Sequence, residues 1–195
     1  MPARRPDPAD LHLVPFDGRF SIADCATAPP AGTPAKDVLR EELRDLVDEL
    51  DRLQQLLFAD ERFAVLAVFQ AMDAAGKDST IRRVFSGVNP AGFRVHAFGR
   101  PSELELRHDF LWRCAQRLPE RGRIGIFNRS HYEEVLVVRV HPELLDAQRL
   151  PAADASRLWR ERFESIREFE RHLARIEHDA VEVVLESQRG SVSLL

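Results

Sequence analysis

The sequence predicts an α/β domain with a mostly parallel sheet, and three observations carry that expectation. Phe63-Ala64-Val65-Leu66-Ala67-Val68-Phe69 is a short, wholly apolar run, the pattern of a strand buried on both faces. Apolar stripes of helical period alternate with such β-like runs along the chain, as βαβ units require. A polar stretch, Gln70 to Thr80, links the first run to a helix start, where open α/β sheets hold phosphate ligands. The 195 residues, 44% hydrophobic and 31% charged, suit one globular core and exclude disorder as the main state. A net charge of −4 excludes a general nucleic-acid coat, so any anion site must be local. Two distant cysteines, Cys25 and Cys114, exclude a disulfide scaffold and point to a reducing, cytoplasmic setting. The N-terminus has no apolar export signal, and no run of 18 apolar residues suggests a membrane span.

In chain order, residues 1–34 are rich in Pro, Ala and Asp and read as an extended arm, followed by one domain over 35–195. Leu39, Leu43, Leu46, Leu50, Leu53 and Leu57 recur at spacings of four and three, which predicts an amphipathic, core-packing helix of about five turns. After the Phe63–Phe69 strand, Ile81 to Phe85 reads as helix, closing near Gly87 and Asn89-Pro90. Phe93 to Phe98 alternates apolar and polar residues and reads as a second strand. Ser102 and Glu105 form a capping-box signature for a helix running through Leu106, Phe110, Cys114 and Leu118. Ile124 to Phe127 is a third strand. Tyr132 to Val140 is open between strand and buried helix. Trp159, Phe163, Ile166, Phe169, Leu173 and Ile176 mark another helix, and Val181 to Leu185 a last strand.

Of 28 basic residues only Lys36 and Lys77 are lysines, and Lys77 stands in the loop. An ammonium is a compact point charge that fits among phosphate oxygens where a planar guanidinium is too wide. A tight turn over Ala74, Ala75, Gly76, Lys77, Asp78, Ser79 and Thr80 would aim backbone N–H groups and a helix N-terminus at an anion. Asp73 could hold the hydration shell of a magnesium ion. Against G-x-x-x-x-G-K-[ST], Ala71 replaces the first glycine and Asp78 the hydroxyl residue. The residues alone leave a phosphate loop and a plain capped helix start both open. Asn128, Arg129, Ser130, His131, Tyr132 and Glu133 follow the third strand, offering types suited to neutralising phosphate oxygens or to a polar turn.

Four segments in order resemble the family-2 polyphosphate kinases: Met72-Asp73-Ala74-Ala75-Gly76-Lys77-Asp78-Ser79-Thr80-Ile81, Gly87-Val88-Asn89-Pro90, His108 to Arg113, and Ile126 to Glu133. The resemblance runs from about Asp10 to Arg175, and Asn128 to Glu134 is most similar to the subgroup acting on both AMP and ADP. It implies a P-loop kinase fold, a three-layer α/β/α sandwich. It also implies Mg²⁺-assisted, in-line phosphate transfer between inorganic polyphosphate and an adenine or guanine nucleotide. Carried over by position, Asp73, Lys77 and Arg129 would be the catalytic residues, with Asp73 toward metal. Residues 74–80 would bind phosphate, and Asn128, Arg129, Ser130, Tyr132 and Glu133 would form the second motif. Arg82, Arg83, Arg94 and Arg100 are further candidates for lining a polyanion channel.

After Arg175 the wording departs from the family, whose members continue into a Gly-Thr turn, a Lys-Phe-Phe-Leu strand, a basic helical lid and further helices. The expectation is therefore a kinase-like chain incomplete at its C-terminus, through a frameshift or as a natural short homologue. Apolar surface left by missing helices would favour a homo-oligomer. A lidless binding protein without turnover and an ATP-dependent nucleotide kinase are the alternatives.

Overall fold

The computed structural model describes residues 32–71, 76–150, 155–175, 178–186 and 191–193. The arm expected over 1–34 lies almost wholly outside them. Helix α1 (Lys36–Asp60) ends where Glu61 turns left-handed, at φ 52°, and donates its N–H to the carbonyl of Leu57. Strand β1 (Ala64–Gln70) follows, then α2 (Lys77–Phe85), β2 (Phe93–Ala97), the single turn α3 (Trp112–Ala115) and β3 (Ile124–Asn128). Helices α4 (Glu133–Val140) and α5 (Ala155–Arg175) precede β4 (His178–Glu186) and β5 (Ser191–Ser193).

The sheet order is β2-β3-β1-β4-β5, with every pairing parallel except β4 with β5. Phe69 pairs with Asn128, and Asn128 with Ala97, so three strands finish level along one rim. The chain leaves β1, skips a place to β2 and returns to β3, which makes the β1–β3 rim the crevice where such sheets take ligands.

Alternation along the strands divides the core. Ala67, Phe69 and Ile126 pack with Ile81 and Phe85 of α2 and with Val47, Leu50 and Leu57 of α1. On the other face Leu66, Val68 and Phe127 pack with Phe98, Cys114 and Leu173. Helices thus cover both faces, the layering of an α/β/α sandwich.

Several expectations change. The α1 leucine stripe is not all core: Leu39, Leu46 and Leu53 are exposed, because the helix packs through the neighbouring face that carries Val47, Leu50, Gln54 and Leu57. The Ser102–Glu105 box forms, with Glu105 Oε2 accepting from Ser102 N–H at 2.7 Å and Ser102 Oγ accepting from Glu105 N–H at 3.3 Å. The long helix expected beyond it does not form. A 3-10 turn (Glu105–Arg107) stops at His108, which is extended, and the Asp109 carboxylate caps Leu111 N–H before α3 begins. Tyr132 to Val140 resolves as α4, and Val181 to Leu185 lies in an interior strand between β1 and β5.

Candidate active site

Gly76 stands at φ 89°, a left-handed conformation that suits glycine, and starts α2 as its N-cap. Its carbonyl accepts from Thr80 N–H at 2.9 Å and from the Ser79 hydroxyl at 2.6 Å, closing the first turn. This turn places Lys77 at the head of α2, 7% exposed, in the wall of a cavity of about 910 Å³.

The opposite wall is the end of β3. Arg129 is itself left-handed, at φ 66°, and its N–H bonds to the carbonyl of Phe69 at 2.9 Å, pinning it across the β1–β3 crevice. Its guanidinium donates to Glu133 Oε2 at 3.2 Å. The other oxygen of Glu133 accepts from the side-chain amide of Gln70, whose own carbonyl accepts from Ser130 Oγ at 3.3 Å. Ser130 Oγ also accepts Tyr132 N–H at 3.2 Å. A closed polar circuit therefore ties the end of β1 to the start of α4 and fixes the direction of Arg129.

Asn128 and Asp78 join the two walls, the amide donating to Asp78 Oδ1 at 2.6 Å. That bond first, and then the charges of Lys77, Arg129 and Arg82, hold the Asp78 carboxyl below its ordinary pKa, so it is a carboxylate at neutral pH. Arg82, Arg100 and Arg113 also line the cavity, and Arg113 donates to the carbonyl of Gly99 at 2.8 Å while lying 5.1 Å over the Phe98 ring. The remaining lining carries Phe98, Pro101, Leu106, Phe110, Val138 and Leu144, together with the polar His131, Glu134 and Gln148. One end can neutralise phosphates, and the other can take a flat apolar group.

Behind the cavity, Arg162 is 4% exposed and donates to the Glu134 carbonyl at 2.9 Å, to Glu134 Oε2 at 3.1 Å and to Gln148 Oε1. Gln148 returns a bond to Glu134 at 2.7 Å. Burial lowers the Arg162 pKa, yet the paired carboxylate keeps the guanidinium charged.

Among the sequence candidates, Gly76, Lys77, Asp78, Ser79, Asn128, Arg129, Ser130 and Glu133 all line this one cavity. Thr80 is half-buried behind that lining, and the Tyr132 hydroxyl turns to Glu170 of α5. Asp73, Ala74 and Ala75 lie outside the described residues. Arg82 and Arg100 reach the cavity, whereas Arg94 lines a different recess. Sequence reasoning missed Gln70, Gln148 and Arg162. A glutamine closing an apolar strand next to a loop was a readable signal for the first, whereas arginines off a helical stripe ordinarily face solvent. Among the described residues no three His, Cys, Asp or Glu side chains cluster as a metal cage, and no helix is long and apolar enough to cross a membrane.

Residues 34–189 match the family model described as Polyphosphate kinase 2 (PPK2). The match begins later than the motif resemblance and runs past Arg175, where the motif wording departs. The chain is 55% identical over 141 residues to an ADP-polyphosphate phosphotransferase of Rhodopseudomonas palustris, covering 71% of this chain and 49% of that protein. It is 49% identical over 167 residues to an AMP/ADP-polyphosphate phosphotransferase of Meiothermus ruber, covering 84% and 58%. A crystal structure of Polyphosphate Kinase 2 from Arthrobacter aurescens superposes with a TM-score of 0.79 at 32% identity, over 91% of this chain and 60% of that one. The chain thus spans roughly half to three fifths of these relatives.

Proposed function

The chain belongs to the polyphosphate kinase 2 family, and on that premise we propose that it moves phosphate between inorganic polyphosphate and AMP or ADP. One observation supports this reading above the others: Lys77 and Arg129, from motifs about fifty residues apart, line opposite walls of one cavity and are bridged by Asp78 and Asn128. Phosphoryl transfer asks little covalent chemistry of a protein, so positioning and charge neutralisation do the work. Lys77 and the N-terminal dipole of α2 hold the transferring phosphate, and Arg129, aimed by Glu133 and Gln70, neutralises charge on its far side. The apolar wall takes the nucleoside, adenine or guanine, and the preference for AMP and ADP follows the names of the two relatives. Magnesium fits this donor set, because it takes one or two carboxylates and completes its shell with water and phosphate oxygens rather than a protein cage. Asp78 and, by the family resemblance, Asp73 would hold it, and when bound it would neutralise phosphate charge. A cytoplasmic location is consistent with a free, buried Cys114, and a homo-oligomer with the exposed row Leu39, Leu46 and Leu53.

ATP formation from ADP and polyphosphate, read by a coupled luminescent assay, tests the proposal. Turnover that Lys77→Ala lowers about 100-fold or more supports it. Nucleotide binding without turnover, unchanged in Lys77→Ala, would discard the enzyme in favour of a binding protein. Activity with ATP and AMP that needs no polyphosphate would replace it with a nucleotide kinase.

A further inference from the structure

A second recess, about 150 Å³, lies on the outer edge of the sheet. Its walls are Arg94 and His96 of β2, Arg117 and Glu120 of the segment after α3, and Arg123 at the approach to β3. Arg94, His96 and Phe98 are two residues apart in turn and so share one face of the edge strand, about 7 Å per step. Phe98 and Arg113 belong to the large cavity, so the recess continues its lip down β2. The His96 ring packs 6.2 Å from Phe127, edge to face, which fixes its position on that side.

The charges here are unbalanced. Arg123 is committed to Glu120 at 3.2 Å and to the carbonyl of Ala91, with its guanidinium over Phe58. That salt bridge uses the recess's own carboxylate. Among the described residues no carboxylate lies within salt-bridge distance of Arg94 or Arg117; the nearby Glu105 accepts from Ser102 N–H, lies 3.9 Å from Arg113 and feels Arg117 only as a more distant charge. A chain of net charge −4 has thus gathered two guanidiniums and an imidazole here beside Glu120, an acid already paired with Arg123. Such an arrangement is self-repelling until an anion enters. Burial first, and then the charges of Arg117 and Arg94, lower the His96 pKa.

The geometry points to a second phosphate-binding station formed by Arg94, His96 and Arg117, sized for one or two phosphate units and separate from the transfer cleft. The volume equals that of about five waters, far short of a nucleotide. Guanidinium forks match phosphate oxygens, and a protonated imidazole adds a charged donor. The same oxyanion chemistry has two sources: the distal stretch of a polyphosphate chain held in the cleft, or free pyrophosphate. The first source rests on the proposed function; the site itself does not.

The His96 imidazole resonance, assigned with His96→Gln, reports the site directly. It is faced by Arg94 on its own strand, by Arg117 and Glu120 from the segment after α3, and by Arg123. Titration with pyrophosphate should move this resonance saturably and raise the His96 pKa, equally in the wild type and in Lys77→Ala. The Arg94→Ser/Arg117→Ser double variant should lose the response, as should Arg117→Glu alone, all on exposed side chains with melting unchanged. A wild-type His96 that does not respond at millimolar pyrophosphate, or a response that survives in both arginine variants, overturns the site. Because Lys77→Ala must still respond, a chain without turnover leaves this test intact. Affinity for long polyphosphate that falls about tenfold in the double variant, with tripolyphosphate unaffected, assigns the shared chain. Equal loss for both lengths assigns the free anion.

Discussion

Replacing Arg162 by methionine removes the centre of the buried circuit behind the cavity while keeping a stem to pack between Trp159 and Phe110, which lie 5.6 and 5.2 Å from the guanidinium. Glu134, 7% exposed, is left without the cation that faced it, and its carbonyl and Gln148 each lose a donor. Breaking a buried, hydrogen-bonded pair from one side costs about 3–5 kcal/mol, because an uncompensated charge stays behind. For a chain of this length each kcal/mol lowers Tm by about 2–4 °C, so Arg162→Met should melt about 6–20 °C below the wild type. Thermal melts by circular dichroism read this directly. The companion Arg162→Met/Glu134→Met removes both charges, and its cost should fall short of the summed single costs by about 1–3 kcal/mol. A single variant melting within about 2 °C of the wild type, or strictly additive costs, would refute the assignment of this pair as a buried, coupled unit.

Gly92→Ala places a Cβ 1.6 Å from Nε2 of the buried Gln54, so it should destabilise by about 1–3 kcal/mol in urea melts, with part recovered in Gly92→Ala/Gln54→Ser. Cys114 has its thiol pKa pushed up to about 12 by burial, so in a Cys25→Ser background iodoacetamide at pH 8 should label it only after unfolding, as mass spectrometry will show. Asp78 titrates below its ordinary value of 3.8, so the stability it contributes is fully present above that value and lost as pH falls through the lower folded pKa. Asn128→Ala should raise the Asp78 midpoint in a carboxyl NMR titration; an unmoved midpoint would remove the amide as its main cause.

What the sequence made legible follows from range of interaction. Phe63 to Phe69 announced a doubly buried strand because burial on both faces leaves no polar position to alternate, and β1 is that strand shifted by one residue, with Phe63 left outside it and exposed. The lone loop lysine was readable because arginine usage elsewhere made it an exception, and Lys77 does line the cavity. The stretch after Ser102 misled because its cap is local and correct, whereas Asp109 interrupts the helix by bonding the backbone two residues on. Leu39, Leu46 and Leu53 misled for a different reason: period reports which residues align, not which flank of the stripe the sheet takes, and here Val47 and Gln54 draw it to the other flank. Arg162 and Gln148 were invisible, since their meeting at Glu134 depends on how α5 docks, which no local pattern encodes.

The left-handed backbone at Arg129 has an energetic corollary. A side chain in that conformation costs about 1 kcal/mol that glycine would not, but glycine gives the unfolded chain a comparable extra freedom and would strip Glu133 of its guanidinium. The two backbone effects nearly cancel, so Arg129→Gly should melt at or below the wild type, and relaxing this corner gains the fold nothing.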